Sequence, residues 1–329
     1  MVTVLQDTLT GLLAPYLAQV ESLFADELAS ELPHVNQLVR HVSKFRGKML
    51  RPMLVLLTGL AAREPGAVLD EKHVVMATVV EMVHMATLVH DDVLDEAEMR
   101  RRGATINHLH GNEAAVLLGD YLISHAFHLC SSLESQEASR LIGRTTNVVC
   151  EGELTQNFYR RKWDLNESTY YNIIYRKTAV LTETCCRLGA MASTDNPETI
   201  HYFAEFGRFL GLAFQITDDV LDITGRPSAA GKTLGTDIEK GKLTLPMIHF
   251  LKTAAASHRE LLIQLLESDA PDRVENVRNL LLPSDSMAYA QGAAQRLVAQ
   301  AVAAIAALPP TEAGAVLQQM ARLVIDRDR

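Results

Sequence analysis

The chain has 329 residues, 48% of them hydrophobic, and a formal net charge of −9. That is enough apolar material for a large core, and the acidic balance excludes a general nucleic-acid binder, which needs a basic face. Four cysteines (Cys130, Cys150, Cys185, Cys186) show no metal-ligand spacing and two are adjacent, which fits reduced thiols in a cytoplasmic protein better than a disulfide framework.

Apolar residues recur with a helical period nearly throughout. The pattern predicts helices over 3–30 (interrupted at Pro15), 34–45, 51–62, 71–98, 111–132, 136–161, 167–192, 198–223 and 244–255, with shorter ones from 257 onward. Breaks fall at Glu64-Pro65-Gly66, Arg102-Gly103, Ser131 to Glu137, Thr194 to Pro197 and Leu308-Pro309-Pro310. Thr224 to Thr244 is rich in Gly and Lys and is long for a plain connection, as functional loops are. The first twenty residues have no basic residue ahead of their apolar part, unlike a signal peptide. No run reaches the roughly 18 uninterrupted apolar residues of a membrane span. The nearest, Val74 to Val89, carries Glu81 and His84 and reads as a core helix. The expectation is one all-α domain over residues 1–329, with no stable membrane insertion and no nucleic-acid partner.

Two copies of one carboxylate pattern stand 127 residues apart (218 minus 91): Asp91-Asp92-Val93-Leu94-Asp95 and Asp218-Asp219-Val220-Leu221-Asp222. On a helix the first and last carboxylates of each copy share a face, and such like-charge pairs weaken a helix by about 0.2–0.5 kcal/mol each. Repeated twice within apolar stretches, the pattern points to cations that offset the repulsion. Clustered carboxylate oxygens suit hard ions, Mg²⁺ above all, which commonly shares its shell with substrate phosphates.

Basic segments accompany the acids. Arg100-Arg101-Arg102-Gly103 follows the first cluster, and His84 lies two turns before Asp91 on nearly the same face. Gly47-Lys48-Met49-Leu50-Arg51-Pro52 sets two cations beside a helix-starting proline. Arg176-Lys177-Thr178 sits mid-helix, Gln215 stands one turn before Asp218, and Gly231-Lys232 and Gly241-Lys242-Leu243-Thr244 add two lysines after the second cluster. Each alone reads as an ion-pair network or a solvated turn. Together they suit polyanionic diphosphates gripped by Mg²⁺ bridges and by Lys and Arg directly, above apolar walls that suit a greasy remainder.

At this level the chain resembles the trans-polyprenyl diphosphate synthases, which condense isoprenoid units head to tail. The family's D-D-x-x-D-x-x-x-x-R-R motif matches Asp91, Asp92, Asp95, Arg100 and Arg101; its second D-D-x-x-D, followed by a G-K loop and G-K-x-T-x-P, matches Asp218, Asp219, Asp222, Gly231-Lys232 and Gly241 to Pro246. The resemblance implies a single large helical bundle around a central active-site cavity, the isoprenoid-synthase architecture, in a homodimer. It assigns Mg²⁺ to Asp91, Asp92, Asp95, Asp218, Asp219 and Asp222, the allylic diphosphate to Arg100, Lys177, Lys232 and Lys242, and isopentenyl diphosphate to Lys48, Arg51, His84 and Arg101. Thr178 and Gln215 would stabilise an allylic cation. Two departures stand out: Arg46 and Met49 occupy positions where the family usually has glycine and arginine.

A terpene cyclase would replace the second cluster with Asn, Ser/Thr and Glu, and a head-to-head synthase would show D-x-x-x-D pairs. A non-catalytic subunit would lose aspartates that are all kept here. Product length follows from the positions four and five before Asp91, where short-chain members carry bulky aromatics. Here they are Thr87 and Ala86, with Val83, Val80 and Met76 further back. The expected product is C30 or longer, against a short-chain alternative in which Phe127 or Leu129 supplies a floor.

Overall fold

The helical period becomes helix almost everywhere in the computed structural model, which describes residues 2–64, 66–101, 103–225 and 234–326. In order these are α1 (Val2–Glu27), α2 (Pro33–Ser43), α3 (Leu50–Ala61), α4 (Glu71–Leu94), a hairpin of β1 (Met99–Arg100) and β2 (Gly103–Ala104), α5 (Ile106–Ser131), α6 (Gln136–Phe158), α7 (Glu167–Ile174), a π-helical turn (Tyr175–Ala179), α8 (Val180–Met191) and α9 (Pro197–Thr224). Then follow α10 (Thr236–Glu239), α11 (Leu245–Thr253), α12 (Ala256–Glu267), α13 (Arg273–Leu281), α14 (Asp285–Ala306) and α15 (Glu312–Val324). The protein is all-α, as expected, and the hairpin falls at the Arg102-Gly103 break.

Three expectations change in detail. Pro15 does not interrupt α1. A proline inside a helix removes one hydrogen bond and crowds the preceding turn, but Leu13, Val20, Phe24 and Leu28 are fully buried and α1 packs on α3 and α4, which holds the helix together on both sides of the proline. A helix starts at 111 as expected, but a short helical stretch from Ile106 precedes it in α5, and the two meet at a kink at Gly111, whose φ of 83° is non-helical. The Thr224 to Thr244 segment contains α10, a single turn.

The helices form two compact units. The first comprises Met1–Thr146, Thr182–Gly207 and Ile305–Gln319. Its centre is α4, against which α1, α3 and α5 pack. By length and composition α4 could cross a membrane, yet 78% of its apolar window is buried inside the protein, as a core helix requires. Its start is a capping box between Asp70 and His73. The other nitrogen of His73 meets Ser193 Oγ at 2.8 Å, and that hydroxyl donates to Gly59 O at 2.8 Å, tying α4 to α3 and to the turn after α8.

The second unit comprises Asn147–Leu181, Arg208–Ala304 and Met320–Arg329. Within it α11 packs on α7, α12 and α13. The Asn166 side chain caps α7 by accepting from Thr169 N at 2.9 Å.

Candidate active site

In the first unit the acidic cluster forms the C-terminal end of α4. Asp91 and Asp95 are half-buried and Asp92 is only 4% exposed. A carboxylate this deep needs a partner, and the hairpin supplies one. Arg100 donates from Nε to both Asp92 oxygens, at 2.9 and 3.0 Å, and its Nη2 lies 2.7 Å from Oδ1. Arg101, in the turn after β1 with a left-handed φ of 47°, donates to Phe45 O. Its guanidinium fills the space beside Gly47, where an added Cβ would stand 2.4 Å from Nη1. Gly47, weak as a sequence signal, lets the end of the Arg101 side chain lie directly over it.

Arg51 in the first turn of α3, with Arg46 and Arg101, gathers around Glu81, which sits on α4 one turn before His84 and is 2% exposed. Burial pushes the Glu81 carboxyl up, and the three arginines pull it back. His84 is held well below the usual histidine range, first by burial and then by Arg51, Arg101 and Arg100, so it is a neutral imidazole at pH 7. Burial and repulsion from Arg100 lower Arg101, and Glu81 opposes that. The Arg51 Nε is buried with no hydrogen-bond partner among the described residues. Lys48 is exposed. The two departures from the family pattern have structural uses: Arg46 stacks 4.5 Å over the Phe24 ring, and Met49 is buried with a left-handed backbone at the start of α3.

In the second unit the residues form a hydrogen-bonded chain. Thr178 Oγ1 donates to Gln215 Oε1 at 2.8 Å, Gln215 Nε2 donates to Asp219 Oδ1 at 2.8 Å, and Tyr170 OH donates to Asp219 Oδ2 at 2.7 Å. Sequence spacing paired Gln215 with Asp218; its partner is Asp219, one residue further. Burial and the neighbouring charges of Asp237 and Asp218 raise the Asp219 carboxyl well above its ordinary value, against the two donors. Lys177 pairs with Glu153 and donates to Gln156 Oε1 at 3.1 Å.

The π turn that carries Lys177 and Thr178 lies against α6. A Cβ at Gly152 would be 2.7 Å from Lys177 N and 2.8 Å from Arg176 Cβ. Such turns concentrate at functional sites.

Asp218 is half-buried. Asp222 caps α10: its Oδ1 accepts from Thr236 N (3.2 Å) and Oγ1 (3.1 Å), and its Oδ2 from Asp237 N (3.0 Å). Lys242 follows Gly241, whose φ of 65° and close packing on Arg161 both exclude a side chain. Lys232 lies outside the described residues.

Sequence reasoning missed two residues. Glu81 could have been found as a lone acid in an apolar run one turn from His84. Tyr170 carried no signal, since its partner lies 49 residues away. For product length, Ala86 and Val83 are fully buried on α4 and Thr87 is half-buried, its hydroxyl turned back on His84 O at 2.7 Å. Phe127 is 39% exposed and faces outward, whereas Leu129 is buried.

The family description "Polyprenyl synthetase" matches residues 32–281. The chain belongs to that family. This polyprenyl synthetase is 34% identical over 323 residues to the octaprenyl diphosphate synthase of Haemophilus influenzae, covering 98% of this chain and 97% of the relative. The structure of a decaprenyl diphosphate synthase from Rhodobacter capsulatus superposes with a TM-score of 0.91 at 31% identity, covering 98% and 99% of the two chains. A polyprenyl synthase from Caulobacter crescentus, crystallised with calcium and isoprenyl diphosphate, gives 0.90 at 29% identity and 98% of both. The activity is prenyl transfer that builds polyprenyl diphosphates.

Proposed function

We propose that this prenyltransferase condenses isopentenyl diphosphate head to tail with an allylic diphosphate, uses Mg²⁺, and releases an all-E product of C30 or longer. The observation that carries this reading lies on α4. The helix carries the Asp91–Asp95 carboxylates at its C-terminal end and His84 two turns earlier, where Arg51 of α3 and Arg101 of the hairpin turn come close. Seven residues, roughly 10 Å of helix rise, separate Asp91 from His84, room for two diphosphates side by side.

The acidic residues fit a hard divalent ion. They offer only oxygen, they pair at helical spacing, and Arg100 and Asn107 (to Asp92 O, 3.2 Å) fix the backbone and side chain of the middle one. Asp91, Asp92, Asp95, Asp218, Asp219 and Asp222 would hold Mg²⁺. The calcium in the Caulobacter relative supports divalent-metal use. Bound Mg²⁺ supplies charge neutralisation to the departing diphosphate.

The protein's own groups do the rest. Lys48, Arg51, Arg101 and neutral His84 grip isopentenyl diphosphate and hold its double bond in reach. Arg100, Lys177, Lys232 and Lys242 grip the allylic diphosphate. Thr178 donates its proton to Gln215, so its oxygen lone pairs remain to face a developing allylic cation. Val83, Ala86 and the apolar residues behind them exclude water from that cation. The final proton goes to the departing diphosphate.

The enzyme works in the cytoplasm as a single-domain chain in a homodimer. Supporting the last point, α5 exposes Val116, Leu117 and Phe127, apolar side chains suited to a second copy.

The test incubates purified protein with Mg²⁺, labelled isopentenyl diphosphate and farnesyl diphosphate, then chromatographs the dephosphorylated products. Products of C30 or longer are expected, abolished by chelator and by Asp91→Ala or Asp218→Ala. Products ending at C20 would refute the length assignment, and full activity in chelator would refute the metal.

A further inference from the structure

A second constellation lies in the first unit, outside the acidic and basic clusters. Glu27 is the last residue of α1, and His125 and His128 stand three apart on one face of α5. Both imidazoles turn Nδ1 toward the same carboxylate oxygen: His125 Nδ1 is 3.3 Å from Glu27 Oε1 and His128 Nδ1 is 2.8 Å from it. One ligand atom from each of the three residues lies within 4.8 Å of the others.

Supporting contacts fix the arrangement. The Tyr121 ring packs 4.3 Å from the His125 ring, and Tyr121 OH donates to Leu28 O, the residue after Glu27, at 3.3 Å. The charge of Glu27 reaches that phenol, which burial and Glu27 together raise above its usual value.

A plain ion pair needs one histidine. Here two histidines from one helix converge on a single oxygen of a carboxylate from another helix. Two nitrogens and an oxygen within 4.8 Å of one another can form a three-ligand metal set of the kind that keeps a fourth position for water. The His128 side chain is 78% exposed, so that fourth position opens to solvent. Imidazole and carboxylate donors favour Zn²⁺ and its transition-metal neighbours over Mg²⁺.

We propose that Glu27, His125 and His128 form a transition-metal site, filled by Zn²⁺, distinct from the Asp clusters of the reaction. Bound there, the ion joins the end of α1 to α5. Each imidazole coordinates through Nδ1 as the neutral tautomer protonated on Nε2, and a proton held on Nδ1 in the metal-free site moves to Nε2 or to solvent.

The experiment uses the full chain, stripped with chelator, dialysed and held in excess Mg²⁺ so that hard-oxygen sites are occupied. Zn²⁺ is titrated calorimetrically into wild type, His128→Ala and Glu27→Gln, and Co²⁺ is added in parallel for its visible spectrum. The wild type should take one more tight equivalent of Zn²⁺ than either variant. Affinity at that step should fall by about a hundredfold or more in the variants, exceeding the usual loss of a supporting contact. Zn²⁺ should raise the unfolding midpoint of the wild type more than that of His128→Ala, and Mg²⁺-supported prenyl transfer by that variant should equal the wild type. Equal Zn²⁺ stoichiometry and affinity in all three proteins, or an equal Zn²⁺ effect on their midpoints, overturns the site and leaves a His–Glu ion pair.

Discussion

Replacing Gly152 with alanine tests how tightly the π turn is held. The added methyl would stand 2.7 Å from Lys177 N, 2.8 Å from Arg176 Cβ and 2.9 Å from Arg176 C. These are mostly backbone atoms, so rotating a side chain does not relieve the contact. Ordinary contact begins near 3.4 Å, so the turn must retreat by about 0.7 Å (3.4 minus 2.7). Overpacking of this kind costs about 1–3 kcal/mol, and alanine's better helix propensity returns about 1 kcal/mol, so the net loss of stability is small. The catalytic effect should be larger. A misplacement of about 1 Å can cost roughly a hundredfold in rate, and Lys177 and Thr178 ride on the displaced turn. The expected result is a kcat lower by roughly ten- to a hundredfold, with helicity retained, measured as initial rates of labelled isopentenyl diphosphate incorporation at saturating substrates. Gly143→Ala on the same helix is the control, because the nearest atom to its new Cβ is 3.9 Å away; it should match or exceed wild-type stability and keep wild-type rates. A Gly152→Ala enzyme with kcat within about twofold of wild type would refute the claim that this contact positions Lys177 and Thr178.

Three further outcomes are expected. Ala86→Phe should shorten the product toward C15 or C20 with the first condensation nearly unchanged; an unchanged product length together with a lowered unfolding midpoint would mean that Ala86 packs against protein rather than beside the growing chain. His84 and His73 are held below the ordinary histidine value, chiefly by burial, so the unfolded chain binds protons below pH 6.5 that the fold does not, and stability must fall as pH drops through that range, by up to about 1.4 kcal/mol per unit for each. Glu81, raised by burial, works in the opposite sense as pH falls toward 4.5. Unfolding midpoints between pH 7.5 and 5 should therefore decline less steeply in His84→Gln than in wild type, and parallel curves would contradict a neutral His84. Tyr170→Phe removes a donor from the buried Asp219 carboxylate and should cost about 1.5–3 kcal/mol in denaturant unfolding; no loss would mean that another donor serves that oxygen.

Helix positions were legible in the sequence because the apolar period is long and uninterrupted. The start of α4 and the ends of α5, α6 and α9 fall within a few residues of the spacing-based limits. Pro15 misled because propensity is local, whereas the packing that keeps α1 continuous comes from α3 and α4. The acidic clusters and their flanking cations were readable because each lies within a few residues along one helix or turn. What spacing could not give was the pairing of side chains distant in sequence. The hold of Arg100 on Asp92 depends on the hairpin turning back, the donation of Tyr170 to Asp219 spans 49 residues, and the cap of Asp222 on α10 requires the chain to return after 14. The same limit explains Gly47 and Gly152, whose purpose is visible only in what passes over them.

The π turn at Tyr175–Ala179 also has a bearing on chain length. Its hydrogen bonds reach from residue i to i+5 where an α-helix reaches to i+4, so the turn stores one residue more than regular winding needs. Deleting a residue elsewhere in an α-helix rotates everything beyond it by about 100°, since 3.6 residues make a full circle. Deletion inside this turn can instead be absorbed by converting the wide turn to an α turn, leaving the stripes of α7 and α8 in phase. The helix thus holds a spare residue at the point where Lys177 and Thr178 are presented, and a chain shortened there by one would keep its fold while losing the presentation.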